Sequence, residues 1–522
     1  MSDTHLAVAR SVAMVGLDGH IVDVETHVGR GLVAFTLVGL PDASLREAKD
    51  RVRSALQSCG IEVINRHITV NLSPAGLPKS GSGFDAAIAA SVLMAAGKLP
   101  QRALDRTVII GELGLDGSMR AVPGVLPALV TARSQGITRA IVPAESAAEA
   151  RLVSGIDVDA FEHCADMVNA LGGRAVRPVA YGGGSLSGGE TSSQRKPVLG
   201  AAIDLSDVRG QDFAVNALTI AAAGGHHVFL VGQPGSGKTM LAARLPTILP
   251  QLDDEAALTV TSLHSIAGVF RDRQELIRTP PLQAPHHSAT MAAMIGGGSV
   301  RIIPGAVSLA HAGVLFLDEA AEFPSAVLNA LRQPLEEGVV TIHRVRGSAQ
   351  FPARVQLILA ANPCPCGGGR GRGRACTCSS IVRRRYLARL SGPLLDRIDI
   401  TIGMRVPTRA DLARTAAPSS SLVRDRVAEA RQRAIHRLKD TPWRLNAEVP
   451  GRWIREHSGI DTALVTRLDR AIDQGSVSMR GADRVLRLMW TLADMDERRK
   501  PHFDDLAHAL TLRTGGPDGA DF

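Results

Sequence analysis

The stretch "VFLVGQPGSGKTMLAARL", residues 228–245, constrains the fold of this chain more than any other. A short apolar run leads into Gly232-x-x-x-x-Gly237-Lys238-Thr239, and a helical pattern begins at the lysine. Glycines at these positions let backbone N–H groups curl around a phosphate, and the helix N-terminus adds positive potential. Lys238 is spaced to reach the β and γ oxygens of a nucleoside triphosphate such as ATP, and Thr239 offers a hydroxyl to Mg²⁺. Gln233, Pro234, Gly235 and Ser236 complete the loop. A strand, phosphate loop and helix in that order predict a parallel α/β sheet.

Two further apolar strands supply groups for the same site. "GVLFLDEAAEF" ends in Asp318 and Glu319. A buried strand delivering two carboxylates at its C-terminal end suits Asp318 for Mg²⁺ and Glu319 for polarising a water, which predicts hydrolysis rather than binding alone. "VQLILAANP" ends at Asn362, either a γ-phosphate contact that orients water or a strand cap. Arg397 in "SGPLLDRIDI" and Arg480 in "GSVSMRGADRVLRLMW" are of the kind that neutralise a transferring phosphoryl group. From spacing alone each is equally an ion-pair partner for Asp396, Asp399 or Asp483.

At 522 residues the chain is too long for one core. Residues 174–200, rich in Gly, Ser and Pro, read as a linker. Before it, residues 1–173 interleave strand-like runs ("GHIVDVETHV", "LVAFTLVGL", "HITVNLSP", "TVIIGELGL", "ITRAIVP") with Ala-rich helices such as "FDAAIAASVLMAAG", an α+β domain. Residues 201–406 form the α/β domain and 407–522 a helical one. No apolar run reaches the roughly 18 residues of a membrane span, and the N-terminus lacks an export pattern, so the expectation is a cytoplasmic protein without a membrane partner. A net charge of +8 favours a polyanionic partner. With aromatics at 3%, nucleic acid would be held through its phosphates rather than by base stacking.

"NPCPCGGGRGRGRACTCSS", residues 362–380, carries Cys364-x-Cys366 and Cys376-x-Cys378, four thiols that suffice for a tetrahedral structural Zn²⁺. A Gly-rich loop without an apolar anchor needs such ordering; reduced thiols or a disulfide are the alternatives. Arg370, Arg372 and Arg374 within the loop, with Arg383, Arg384, Arg385 and Arg389 after it, are either DNA backbone contacts or a solvated basic face. Cys59 and Cys164 read as small buried hydrophobes. His286 and His287 in "APHHSAT" point in different directions as neighbours and are expected to be structural.

Together "GQPGSGKT", "LFLDE", "LAANPCPCG", "SGPLLDRID" and the Arg480 helix resemble the magnesium-chelatase-like AAA+ ATPases, specifically the competence-associated ComM/YifB family. "DLSDVRGQDFAVNALTIAAAGGHH", "APHHSATMAAMIGGGS" and "PGAVSLAHAGVLFLDE" extend the resemblance over nearly the whole chain. It implies a hexameric homo-oligomer with ATP sites between subunits and ATP-driven DNA unwinding and branch migration during homologous recombination of transforming DNA. It also places Walker A on Gly232 to Thr239, Walker B on Asp318 and Glu319, sensor 1 on Asn362, the arginine finger on Arg397 and sensor 2 on Arg480. The 1–173 domain resembles the Lon-protease fold, and the C-terminal domain an AAA+ lid. In "LPKSGSGFDAA" Gly83 stands where Lon proteases carry the nucleophile, and Leu126 and Ala128 stand where the lysine is needed, so no peptidase dyad is expected, although Ser80 and Ser82 share the loop. A magnesium-chelatase motor subunit and a nucleotide-gated scaffold are the rival readings.

Overall fold

Alternating burial through Leu6–Val15 and Asp18–Gly29 turns one face of a long antiparallel hairpin into core, as a period of two requires. In the computed structural model this hairpin is the middle of a seven-stranded mixed sheet. Its strand order is Ala34–Val38, His67–Ser73, Asp18–Gly29, Leu6–Val15, Thr107–Ile109, Arg139–Pro143 and Asp157–Phe161. The described residues are 6–29, 32–39, 42–62, 66–77, 79, 81–178, 203–270, 273–298, 301–344, 347–368, 376–390, 392–413, 416–475 and 477–516. Helix Asp85–Ala95, buried along its whole length, covers one face of the sheet. Two of these strands, Leu6–Val15 and Asp157–Phe161, are absent from the sequence reading. "TVIIGELGL" divides where the chain turns at Gly111: Glu112–Leu113 pairs separately with Met119–Arg120.

The second sheet is parallel throughout, in the order Leu282–Gln283, Val314–Leu317, Gln356–Ala361, Val228–Gly232, Ile400–Met404. Its central strands are buried on both faces and therefore read as continuous apolar runs. The strand ending before Asn362 lies between the strand that precedes the phosphate loop and the strand that ends before Asp318. Three groups far apart in sequence thereby leave one edge of the sheet together.

Helices Ser420–Arg437, Met479–Met495 and Phe503–Thr514 share one hydrophobic core with helix Asp212–Gly224 and the sheet. The last of them returns the chain to the sheet, where the Gly403 N–H donates to the Gly515 carbonyl at 3.0 Å. A buried polar knot ties this helical layer down. Asp399 accepts the His227 N–H at 3.0 Å and faces Arg484 at 3.3 Å and His226 at 3.7 Å. Burial pushes the Asp399 carboxyl up, but Arg484 and the two histidines outweigh it and hold the acid well below the ordinary carboxylate range.

The N-terminal unit docks on helix Asp254–Ile266 of the central unit. Glu149 accepts the Leu126 N–H at 2.8 Å and also the Ser265 hydroxyl, and the Arg301 guanidinium reaches the Ile266 and Pro123 carbonyls. Residues 174–178, read with the linker, run along the N-terminal unit: Arg177 pairs with Glu162 and Asp166, both at 3.0 Å. The rest of that stretch lies outside the described residues.

Candidate nucleotide site

Strand Val228–Gly232 ends against Ile400–Met404 so closely that a Cβ on Gly232 would stand 2.4 Å from the Met404 carbonyl oxygen, which excludes any side chain there. The loop then turns through Gly237, whose φ of 91° lies in the region that glycine tolerates, and opens helix Lys238–Ala242. Gln211, just before helix Asp212–Gly224, braces the loop by donating to the Ser236 carbonyl at 3.1 Å and the Arg405 carbonyl at 2.8 Å. Nothing in the local spacing of the sequence ties it to the loop. The signal available was an uncharged polar residue immediately before a strongly apolar helix.

Three of the catalytic candidates, Lys238, Glu319 and Asn362, meet here. Lys238 Nζ donates to the Gly232 carbonyl at 2.7 Å, the Gln233 carbonyl at 3.1 Å and Asn362 Oδ1 at 3.1 Å. Burial lowers the affinity of Lys238 for its proton, and Asp318 and Glu319 partly restore it. Thr239 Oγ1 donates to Asp318 Oδ2 at 2.6 Å, which brings together the two oxygens that an octahedral cation would take from this site. Asp318 Oδ1 accepts the Glu319 N–H at 2.9 Å. Glu319 sits at φ 50°, ψ 42°, a left-handed conformation uncommon outside glycine. The structure thus joins Lys238, Thr239, Asp318, Glu319 and Asn362 in one cluster at the C-terminal edge of the sheet, where α/β folds bind ligands.

His287, expected to be structural, stands in that cluster instead: its Nδ1 lies 3.2 Å from Glu319 Oε2. Adjacent histidines do diverge along an extended chain, but "APHH" leaves the strand neighbouring the one that ends in Asp318, and its second ring turns inward. The two arginines stand apart from the cluster. The Arg397 guanidinium pairs with Glu336 and the Pro393 carbonyl, and Arg480 extends from the first turn of its helix to Asp396 at 3.1 Å, its side chain 72% exposed. Of the ion-pair partners that spacing allowed, Asp396 is the one Arg480 takes. Asp399 goes to Arg484, one turn further along the same helix.

The cysteine loop is built onto this site. Gly367 packs on the phosphate loop, with its Cβ position 3.0 Å from Pro234 Cγ. The sulfurs of Cys364, Cys366, Cys376 and Cys378 all lie within 4.8 Å of one another, with separations of 3.1 Å for 364–366, 3.4 Å for 364–376 and 3.7 Å for 366–376. Four thiolates around a tetrahedral zinc at 2.3 Å stand about 3.8 Å apart, so the donor set fits that ion. The Gly368 N–H donates to Cys366 Sγ at 3.3 Å, supporting the sulfur from outside. Arg370, Arg372 and Arg374 lie outside the described residues. Arg384 and Arg385 are exposed on helix Ser380–Leu387, and Arg389 pairs with Glu322 at 3.0 Å.

Cys59 and Cys164, isolated in sequence, are both buried, and the Cys59 thiol is held down chiefly by hydrogen bonding with Cys164. Ser82 bonds to Glu112, Gly83 lies against Val122, and Ser80 is outside the described residues. Leu126 is buried in an apolar cluster with Leu129.

A parallel sheet with a phosphate loop, two carboxylates one strand removed, a polar residue on the strand between and a helical layer at its edge defines a P-loop nucleotide-binding protein of the AAA+ kind. The magnesium chelatase subunit ChlI family model matches residues 204–412, a ChlI subunit model residues 24–146 and the ChlI C-terminal model residues 417–513. The chain is 46% identical to the uncharacterized protein Rv2897c of Mycobacterium tuberculosis over 97% of its own length and 98% of that protein's. To the competence protein ComM of Haemophilus influenzae it is 38% identical over 97% of both chains. A segment covering 23% of the chain is 27% identical to Lon protease 2 of Bacillus subtilis, of which it spans 22%. The chain belongs to the ComM/YifB family of magnesium-chelatase-like AAA+ proteins, a family of nucleotide-driven motors. Among the described residues no helix is long and apolar enough to cross a membrane.

Proposed function

We propose that this chain is an ATP-hydrolysing ring motor acting on single-stranded or branched DNA, a helicase that promotes branch migration in homologous recombination or natural transformation. The observation carrying this reading is the convergence of Lys238, the Thr239 and Asp318 pair, Glu319 and Asn362 at one sheet edge. Lys238 exchanges its carbonyl partners for the β and γ oxygens of ATP, a move its cage of neutral acceptors permits. Thr239 and Asp318 hold Mg²⁺, which when bound neutralises phosphate charge. Glu319 polarises the attacking water, and Asn362 orients it while steadying Lys238. Arg397 serves the site of the neighbouring subunit in a hexamer, and Arg480 leaves Asp396 to reach phosphate as the helical lid closes. Arg480, with its side chain 72% exposed, is free to make such a movement, whereas Arg397, 13% exposed, has to leave Glu336 first.

The Lon-like N-terminal unit is a non-proteolytic platform for DNA or ring assembly. The cysteine cluster holds a structural zinc that orders the loop against Pro234. Metal analysis of the purified protein is expected to find about one zinc per chain, lost in Cys376→Ser. The functional test is ATP-dependent branch migration of a synthetic four-way junction. Resolution of the junction by the wild type and none by Glu319→Gln supports the reading. No movement of any junction or forked duplex, despite ATP turnover, favours a magnesium-chelatase-type motor subunit, the rival that the family-model descriptions support.

A further inference from the structure

The phosphate loop is braced from two sides, and the braces differ in kind. At its far end buried Gln211, fixed at the head of helix Asp212–Gly224, donates to the Ser236 carbonyl at 3.1 Å. At its near end Gly367, at φ 71°, packs on the ring of Pro234: a Cβ at Gly367 would stand 3.0 Å from Cγ and 3.3 Å from Cδ. Between the braces Gly235, at φ 79°, meets nothing among the described residues within 4 Å of its Cβ position. The support under Pro234 therefore sets where the backbone N–H groups of the loop stand. Lys238 follows, because its Nζ rests on the adjoining Gln233 carbonyl at 3.1 Å.

Gly367 belongs to the cysteine cluster. Its turn is closed by the Gly367 N–H on the Cys364 carbonyl at 3.1 Å and by the Gly368 N–H on Cys366 Sγ at 3.3 Å. Cys364 is buried, but Pro365 and Cys366 are exposed, so little apolar burial holds the turn in place. The other half of the cluster is anchored. Cys376 and Cys378 run into helix Ser380–Leu387, capped by the Ser379 hydroxyl, and its Tyr386 is buried in one core with Leu359 and Ala361. Just beyond, Arg389 pairs with Glu322 at 3.0 Å. Sulfur separations of 3.4 Å for 364–376 and 3.7 Å for 366–376 bring the two halves together. A metal held by all four thiolates ties the turn against Pro234 to the anchored helix; without it the turn is left to its own hydrogen bonds.

We propose that Gly367 is a positioning residue for the phosphate loop and that zinc in the cysteine cluster sets the affinity for ATP. With the metal bound, the turn holds Pro234 and the loop stands ready for phosphate; with the metal released, the loop slackens and ATP has to order it. This rests on the readings of the cluster as a zinc site and of the loop as an ATP site. Ordering a slack loop on binding costs affinity, here roughly tenfold.

The test is the Kd for a fluorescent ATP analogue at constant Mg²⁺, measured on the full chain as purified, after zinc removal with phenanthroline, and after zinc is returned. Zinc content and circular dichroism are read on every sample. The Kd is expected to rise roughly tenfold on removal and to recover on return. Pro234→Ala, which takes away the ring that Gly367 meets, should keep its zinc, bind the analogue as weakly as stripped wild type, and no longer respond to zinc removal. A zinc that merely helps the chain fold would weaken wild type and Pro234→Ala alike. Equal Kd with and without zinc in folded wild type overturns the proposal, as does a zinc response that survives in Pro234→Ala. If the stripped chain unfolds, zinc-loaded Pro234→Ala decides, and a wild-type Kd there overturns the proposal. The underlying readings fail separately: a chain that neither contains nor takes up zinc removes the metal site, and a zinc-loaded chain that binds no analogue removes the ATP site.

Discussion

Two buried lysines show how differently the two sheets of this protein use the same chemistry. Lys79 Nζ donates to the Leu72 carbonyl at 3.0 Å and to the Pro74 carbonyl, its side chain is 1% exposed, and burial lowers its affinity for a proton. Lys238 Nζ also rests on two carbonyls and is also lowered by burial, yet it shares its site with Asn362 and feels Asp318 and Glu319 across the sheet edge. A caged amine on which, among the described residues, no carboxylate acts reads as a structural cross-link; the same cage beside carboxylates is, on the function proposed above, the phosphate site at rest. The neighbourhood of Lys79 completes the contrast. Gly83 offers no nucleophile, and the backbone at Leu126, where a lysine would be needed, is tied to Glu149 and through it to Ser265 of the central unit. A position that could have carried chemistry instead carries docking.

The largest effect expected to test this contrast is on turnover. Lys238→Ala should lower ATP hydrolysis about 10³-fold with the chain still folded, measured by phosphate release and circular dichroism. Cutting the tie between helical layer and sheet comes next. Asp399→Asn leaves the half-buried Arg484 without its counter-charge and should destabilise the central unit by about 3 kcal/mol in urea unfolding. Lys79→Met removes a buried donor from the Leu72 and Pro74 carbonyls, of which Pro74 keeps the Leu77 N–H, and should cost the N-terminal unit about 2 kcal/mol while leaving kcat for ATP unchanged; a fall in kcat would erase the distinction between the two lysines.

Acid should act mainly on the central unit. Burial pushes the imidazoles of His227 and His311 down to about 4, below the ordinary histidine value. The unfolded chain therefore binds more protons between about 6.5 and 4, so stability is full above that window and falls as pH drops through it, by about 3 kcal/mol per histidine. Urea midpoints measured across those pH values check this. The smallest effect expected is from Gly83→Ser. A Cβ there meets Val122 at an ordinary 3.5 Å, so the variant should fold within about 1 kcal/mol of wild type and still cleave no peptide. Peptidase activity would show that the N-terminal unit holds a base elsewhere than at Leu126 or Ala128.

The groups that act through local spacing were readable in the sequence. Gly232 to Thr239 encode their own geometry within eight positions, and the strands that end before Asp318 and Asn362 announce themselves because burial on both faces leaves an apolar run, Val314–Leu317 and residues 357–361, up to the polar terminus. What stayed hidden depends on strand order and on side chains turning to meet across long separations. The contact of His287 with Glu319 requires that Leu282–Gln283 lie beside Val314–Leu317, which a two-residue strand does not reveal. Gln211 under the phosphate loop and Arg484 against Asp399 are tertiary pairings of the same sort. The strand Leu6–Val15 stands out poorly in the sequence because Ala7, Ala9 and Ala13, a residue type depleted in strands, fill buried positions of its core face. Its alternating burial is that of an ordinary central strand.

The central claim, that nucleotide hydrolysis at Glu319 is coupled to DNA, is tested most directly by ATP turnover of the purified protein alone, with single-stranded DNA and with a four-way junction. Strong stimulation by DNA that vanishes in Glu319→Gln is the predicted result. Glu319-dependent turnover indifferent to every DNA would contradict it.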